Sequence, residues 1–352
     1  MKLSEFAKEC RDTWKEDRSG VPVVGLEHLE PGEVKLSAWD VDSENTFTKR
    51  FNKGQVLLGR RRVYLRKAVV APFDGICSGD ITVIEAIPGK ILPELLPFVI
   101  QNDAFFDYAE QGSAGSLSPR VKWEHLKDFE VNLPSIDNQK VLAEKLWAAY
   151  RLKESYKKLL AATDEMVKSR FIEMFGDPKV NSKCLSEKTL DCISEQLVAG
   201  GDKPKDYSIE KKGDYIYPIW ANGEQDKGLQ GYSQSYRINR ESLTISARGS
   251  IGYCEIRKPY YTPVVRLISL VPKENVDLVY LKYFFDLTGF VKTGAVQGQL
   301  TIPELKKKTV LVPFIEDQRE FRQIVEQADK SGFELRKSIE SIDAVIKSLI
   351  NN

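Results

Sequence analysis

Val131-Asn-Leu-Pro-Ser-Ile-Asp-Asn-Gln139 returns 179 residues later as Val310-Leu-Val-Pro-Phe-Ile-Glu-Asp-Gln318, with valine, proline and glutamine at the same places. The offset holds without a gap into the downstream segments. Leu142, Leu146, Ala149, Tyr156, Leu160, Thr163 and Val167 recur in alternating steps of four and three, interrupted by Lys153 and Arg170. In the second copy Phe321, Val325, Ala328, Leu335, Ile339, Ile342, Ile346 and Leu349 do the same, with Gly332 at the interrupted place. This is a heptad seam of about five heptads on each of two helices, flanked in the first by Lys145, Arg151, Lys157 and Lys158. The first helix stops where Phe175 runs into Gly176-Asp-Pro178, a left-handed cap followed by a residue that cannot continue it; the second runs to the end of the chain. A seam alone is ordinary core packing. Two copies in one chain, able to pack about a pseudo-two-fold axis, read as a spacer between two globules.

Upstream of each helix the composition changes to frequent Gly and Pro with short β-branched runs. Residues 55–59, 69–73 and 81–87 read as strands in the first region, and 242–247, 260–265 and 267–271 in the second. Aromatic-rich stretches at 95–109 and 278–290 read as helical. The expected fold class is therefore α+β: two β-rich domains, 1–134 and 179–313, separated by two long antiparallel coiled-coil helices, 135–178 and 314–352, as a pseudo-two-fold internal repeat. The globules align poorly while the ends of the units align well. The first is expected to lack a counterpart to Ser186–Lys205 of the second.

The chain has 352 residues, enough for two or three domains. No stretch approaches the roughly 18 to 20 apolar residues of a membrane span, and no secretory leader opens the sequence, so a cytoplasmic location is expected. The five cysteines are odd in number and scattered without a C-x-x-C pair, which speaks against a disulfide framework or a zinc site. With only His28 and His125, histidine-based metal or nucleophile chemistry is hard to build. There is no Asn/Asp-Pro-Pro-aromatic loop for amino-group methylation and no G-x-x-x-x-G-K-[ST] for a nucleotide motor. Gly75-Ile-Cys77-Ser-Gly79 imitates a nucleophile elbow, yet a cysteine there needs a base and reads better as a buried turn residue. The chain is thus expected to be no enzyme and to hold no metal.

The repeat, the Pro-x-x-x-x-Gln helix starts at Pro134–Gln139 and Pro313–Gln318, and Phe171–Pro178 closing the first helix together resemble the specificity subunits of type I restriction-modification systems. The Gly-rich loops 112–120 and 293–300 fit the same pattern, as do 58–67 and 246–252, so the resemblance covers nearly the whole chain. It implies two target-recognition domains, each reading one half of a bipartite double-stranded DNA target. It also implies docking of two modification (methyltransferase) subunits and, with them, a restriction (motor-nuclease) subunit, without a membrane. No cofactor is then expected in this chain; S-adenosylmethionine, ATP and Mg belong to the partners.

Reading DNA needs phosphate contacts for position and side-chain donors for base edges. Arg60, Arg61, Arg62, Tyr64 and Lys67, with Arg66, form a basic run between two expected strands in the first globule, either a solvated face or a loop that enters a groove. Arg120 and Lys122 follow the Gly-rich loop. In the second globule Arg248 and Ser250 lie among small residues, and Asn222 and Lys227 in the preceding loop and Gln297 and Gln299 in the Gly-rich loop add polar reach. Each could instead be an ordinary turn residue. A net charge of +1 gives no global pull toward nucleic acid, so local patches or partners must supply it. A structural coiled-coil adaptor that binds protein is the alternative.

Overall fold

A computed structural model of the chain describes residues 1–290 and 299–351. The first half runs α1 (Leu3–Phe6), β1 (Ala7–Cys10), β2 (Pro22–Val24), β3 (Asp40–Val41), β4 (Lys49–Phe51), β5 (Val56–Gly59), β6 (Ala68–Val70), β7 (Gly75–Cys77), β8 (Ile81–Ala86), α2 (Leu96–Ile100), α3 (Asp103–Gln111), α4 (Trp123–Leu126) and α5 (Ile136–Phe175). The second runs β9 (Glu187–Thr189), α6 (Leu190–Ile193), β10 (Ser194–Ala199), β11 (Tyr217–Trp220), β12 (Leu229–Ser233), β13 (Ser242–Ser246), β14 (Cys254–Arg257), β15 (Thr262–Pro263), β16 (Leu267–Pro272), α7 (Leu278–Thr288), α8 (Ile302–Lys307), β17 (Thr309–Leu311) and α9 (Ile315–Asn351). Two compact units result: Met1–Lys157 with the chain from Arg336 onward, and Lys158–Leu335. Each holds one β-rich globule and a part of both long helices, the α+β class expected.

The two globules are built on one plan. The first has a four-stranded sheet in the order β1-β8-β5-β6, the second β10-β16-β13-β14. Even the register repeats: Val56 pairs with Ile84 and Leu58 with Thr82, as Leu243 pairs with Leu270 and Ile245 with Ile268. Most of these inward positions are apolar in both copies, which keeps the buried face on one side of the pleat while the residue identities drift. The expectation that the first globule lacks the segment that opens the second is overturned. Ala7 pairs with Ala86 as Ser194 pairs with Pro272, so α1 and β1 are the counterparts of α6 and β10. Leu3 N–H donates to the Phe129 carbonyl (2.8 Å) as Leu190 N–H donates to that of Lys308 (2.9 Å). The equivalence escapes the sequence because one short helix and one short strand carry too few apolar positions to show a period. A second sheet, β3-β2-β7-β4, is matched by β12-β11-β15, whose fourth strand shrinks to the single bridge between Ile238 and Tyr261.

The long helices close each core. In the first unit Leu146 is buried and Leu142, Ile342 and Leu349 half-buried, with Ile346 buried, in one cluster with α2, α3 and the sheet. Leu142 and Leu349 line one cavity while Lys153 Nζ meets Asp343 Oδ1 at 2.7 Å further along, so the two helix segments run antiparallel here. In the second unit Val167 and Val325 are buried around an aromatic knot in which Phe171 meets Phe321 edge-on and stacks on Tyr280. Leu160, Leu335 and Ile339 are half-buried. The expected stop of α5 is built as its sequence implies. Gly176 takes φ +76° and donates to the Ile172 carbonyl at 2.8 Å, a conformation that costs a side-chain-bearing residue strain. Lys183 Nζ then donates to the orphan carbonyls of Glu173 and Met174. The aromatic stretch at 95–109 forms two helices rather than one, because Asn102 leaves the helical backbone and caps α3 through Ala104 N–H (2.7 Å). Among the described residues no helix is long and apolar enough to cross a membrane.

Candidate nucleic-acid interface

The basic run of the first globule is the loop joining β5 to β6. Its shape is set by Val63, buried at the start of a short 3-10 turn (Val63–Leu65) that Arg62 and Arg66 flank, both at φ +51°. Left-handed backbone at two arginines carries strain that a loop optimised only for stability would avoid. Arg66 is committed to the scaffold: its guanidinium pairs with Asp103 and, at 2.7 Å, with Asp107, one turn apart on α3. Lys67 is likewise tied down, its ammonium donating to the Leu26 carbonyl at 2.8 Å. Tyr64 and Arg62 are exposed.

Arg60, Arg61 and Arg120 are brought together. Arg120 forms a bridge with Arg61 across the Gly-rich loop, Val121 N–H donates to the Arg60 carbonyl (2.9 Å) and Arg62 N–H to that of Pro119 (2.7 Å). At their centre stands a residue that carries no motif in the sequence. Asp80, in the turn between β7 and β8, accepts from Arg120 Nε (2.6 Å) and Nη2 (3.0 Å) and lies 3.7 Å from Arg61 Nη1. Arg120, hydrogen-bonded to it, holds the Asp80 carboxyl below the usual carboxylate range. Arg61 Nη2 also donates to Ser118 Oγ at 3.0 Å. Arg60 Nε is buried and has no hydrogen-bond partner among the described residues, an unsatisfied donor at the edge of the cluster. Lys122 is exposed two residues beyond Arg120, at the start of α4.

In the second globule Arg248 and Ser250 lie in the loop between β13 and β14, the same position in the sheet as the loop holding Arg60, Arg61 and Arg62. The framing hydrogen bonds coincide as well. Leu300 N–H donates to the Ala247 carbonyl (2.9 Å) as Val121 does to Arg60, and Ala247 N–H to that of Arg266 (3.0 Å) as Arg60 does to Asp80 (2.9 Å). Asn222 Nδ2 donates to the Arg248 carbonyl at 2.9 Å, joining two loops that are separate candidates in the sequence. Lys227, exposed at φ +53°, reaches Glu255 at 3.4 Å. Its carbonyl accepts from the nearly buried Arg257, which lies 4.0 Å from the Trp220 ring centroid and donates to Thr244 Oγ1 at 3.0 Å. Arg257 escapes the sequence because a single arginine at a strand end carries no motif. Gln299 is exposed beside Leu300; Gln297 lies outside the described residues. The cysteine of the elbow-like stretch ends a strand rather than standing in a turn: Cys77 is fully buried within β7, and burial pushes its thiol up to about 12.

Residues 188–342 match the family described as the type I restriction modification DNA specificity domain. A putative type I specificity subunit of Mycoplasma pneumoniae is 37% identical over 134 residues, which is 38% of this chain and 40% of that protein. The second half of the chain thus carries the match to this specificity domain, and the chain is similar to type I specificity subunits. A second such M. pneumoniae protein is 38% identical over 128 residues, 36% of this chain and 35% of its own length, so the chain spans well under half of either relative. The crystal structure of a type I restriction-modification S subunit from M. genitalium covers 99% of this chain and 94% of its own, with a TM-score of 0.64 at 16% identity, which is agreement in fold. The resemblance carried by the repeat and its proline–glutamine helix starts is thereby borne out.

Proposed function

We propose that this chain is the DNA sequence-specificity subunit of a type I restriction-modification complex. Each globule reads one half of a bipartite target, and α5 and α9 set the spacing and dock two modification subunits. S-adenosylmethionine, ATP and Mg act on the partners, a restriction subunit among them, and the readers would be the candidate residues in the β5–β6 and β13–β14 loops and the Gly-rich loops beside them.

One observation carries the reading. Both candidate loops occupy the same place in a repeated sheet, framed by the same backbone hydrogen bonds, yet differ in length and side chains. One scaffold displaying two different sets of donors is what a reader of two different half-sequences requires. The decisive experiment replaces residues 185–310 with the matching segment of a relative and maps methylated sites in cells that carry the modification partner. One half of the target should change and the other stay. A chain that acts as a protein-binding adaptor would leave the methylation pattern as it was.

A further inference from the structure

Arg61 and Arg120 of the first globule do not face solvent unsupported: both meet Asp80, and the matching position of the second globule holds Arg266. We propose that Asp80 is a positioning residue for base reading: it holds Arg120, and with it Arg61, in the orientation that discriminates bases in the half-target read by the first globule. The inference rests on the proposed function and assigns it a specific dependence.

Asp80 is itself firmly placed. It sits in the tight β7–β8 turn, its N–H donating to Ser78 Oγ (3.2 Å) and its carbonyl accepting from Arg60 N–H, and its side chain is only 20% exposed. A carboxylate fixed at both ends of its own backbone unit can fix what it binds. Its two oxygens take Nε and one Nη2 hydrogen of Arg120, the side edge of the guanidinium. The Nη1 pair and the second Nη2 hydrogen remain, and that end edge can donate two parallel bonds to the O6 and N7 of a guanine. Committing one edge removes the rotamer freedom of a long side chain before DNA arrives, so less of it is lost on binding. An ion pair to an arginine that is itself 43% exposed contributes little to folding, which leaves stability a poor reason for the arrangement. Arg266 stands where Asp80 stands in the framing bonds of the other copy, so that position carries a cation there in place of a carboxylate.

The test uses the full chain assembled with its modification partner, comparing wild type with Asp80→Asn and Asp80→Glu. Methylated sites are mapped, and binding is measured to the cognate duplex, to duplexes with single changes in each half, and to an unrelated duplex. Asp80→Asn should lower discrimination at one base pair of the first globule's half-target on the order of 10-fold, with recovery in Asp80→Glu. Affinity for the unrelated duplex should hold or rise, because a negative charge has been removed, and the other half should be read as before. That untouched half also reports that the complex is folded. Unaltered discrimination in Asp80→Asn alongside a selective wild type overturns the inference alone, as does joint loss of both halves, which would mark Asp80 as a mere fold determinant. A wild-type complex without sequence preference overturns the proposed function and the inference together.

Discussion

Gln139 and Gln318 end the two copies of the proline–glutamine motif, and their side chains do the same work. Gln318, fully buried, accepts from Asp277 N–H (2.8 Å) and donates to the carbonyls of Pro313 (2.9 Å) and Asn275 (3.3 Å). Gln139 accepts from Leu92 N–H (3.0 Å) and donates to Pro134 (3.1 Å) and Lys90 (3.4 Å). Each amide thus ties the first turn of a long helix to the segment that leads into an earlier helix, α2 in the first copy and α7 in the second. Gln318→Ala leaves a buried donor and two acceptors unpaired and should cost about 2–3 kcal/mol in denaturant unfolding. Gln318→Glu should cost more, since a carboxylate would face two carbonyl oxygens. A change no larger than that of an exposed substitution would defeat this account. The motif was legible as a repeat, but why a glutamine recurs was not, because two of its three partners lie 41 to 49 residues away. Asp80 was invisible for the same reason: it is twenty residues from Arg60 and forty from Arg120, and only the sheet register brings the three together.

The seam on α5 is broken by Lys153, and the break is structural. Its ammonium is nearly buried, 2.7 Å from Asp343 Oδ1 on α9 and 3.8 Å from Glu33 Oε1, while Glu33 also accepts from Tyr150 OH (3.1 Å) and Lys157. A buried charge at a seam position fixes register, since sliding either helix would strand it. Lys153→Glu sets a third carboxylate against two others and should destabilise the chain by about 3–5 kcal/mol. Adding Asp343→Lys should return at least about 1 kcal/mol in a double-mutant cycle. No coupling between the two substitutions would show that the pair does not hold the register. The seam could be read from sequence because a heptad pattern over so many turns is redundant. The equivalence of α1 and β1 to α6 and β10 could not, since its warrant is strand pairing with residues some eighty positions on.

Both long helices pass from one unit into the other, α5 between Lys157 and Lys158 and α9 between Leu335 and Arg336. On the proposed reading the 40 residues of α5 and the 37 of α9 act as a ruler for the gap between half-targets. Seven residues inserted at both crossings keep the seam in phase, and at ~1.5 Å per residue they add roughly 10 Å, or about three base pairs. The two ends of the ruler do not turn with the DNA. Seven residues rotate a helix by only about 20° from full turns, whereas three base pairs carry a half-target roughly 100° around a duplex of about 10.5 base pairs per turn. The longer chain should therefore methylate a target with unchanged halves and a gap widened by about three base pairs, at reduced affinity because the twist must be absorbed. Placing the insertion in one helix alone should abolish activity, since the facing seams no longer meet. A doubly extended chain that keeps the original gap would mean that something other than the helices measures the distance.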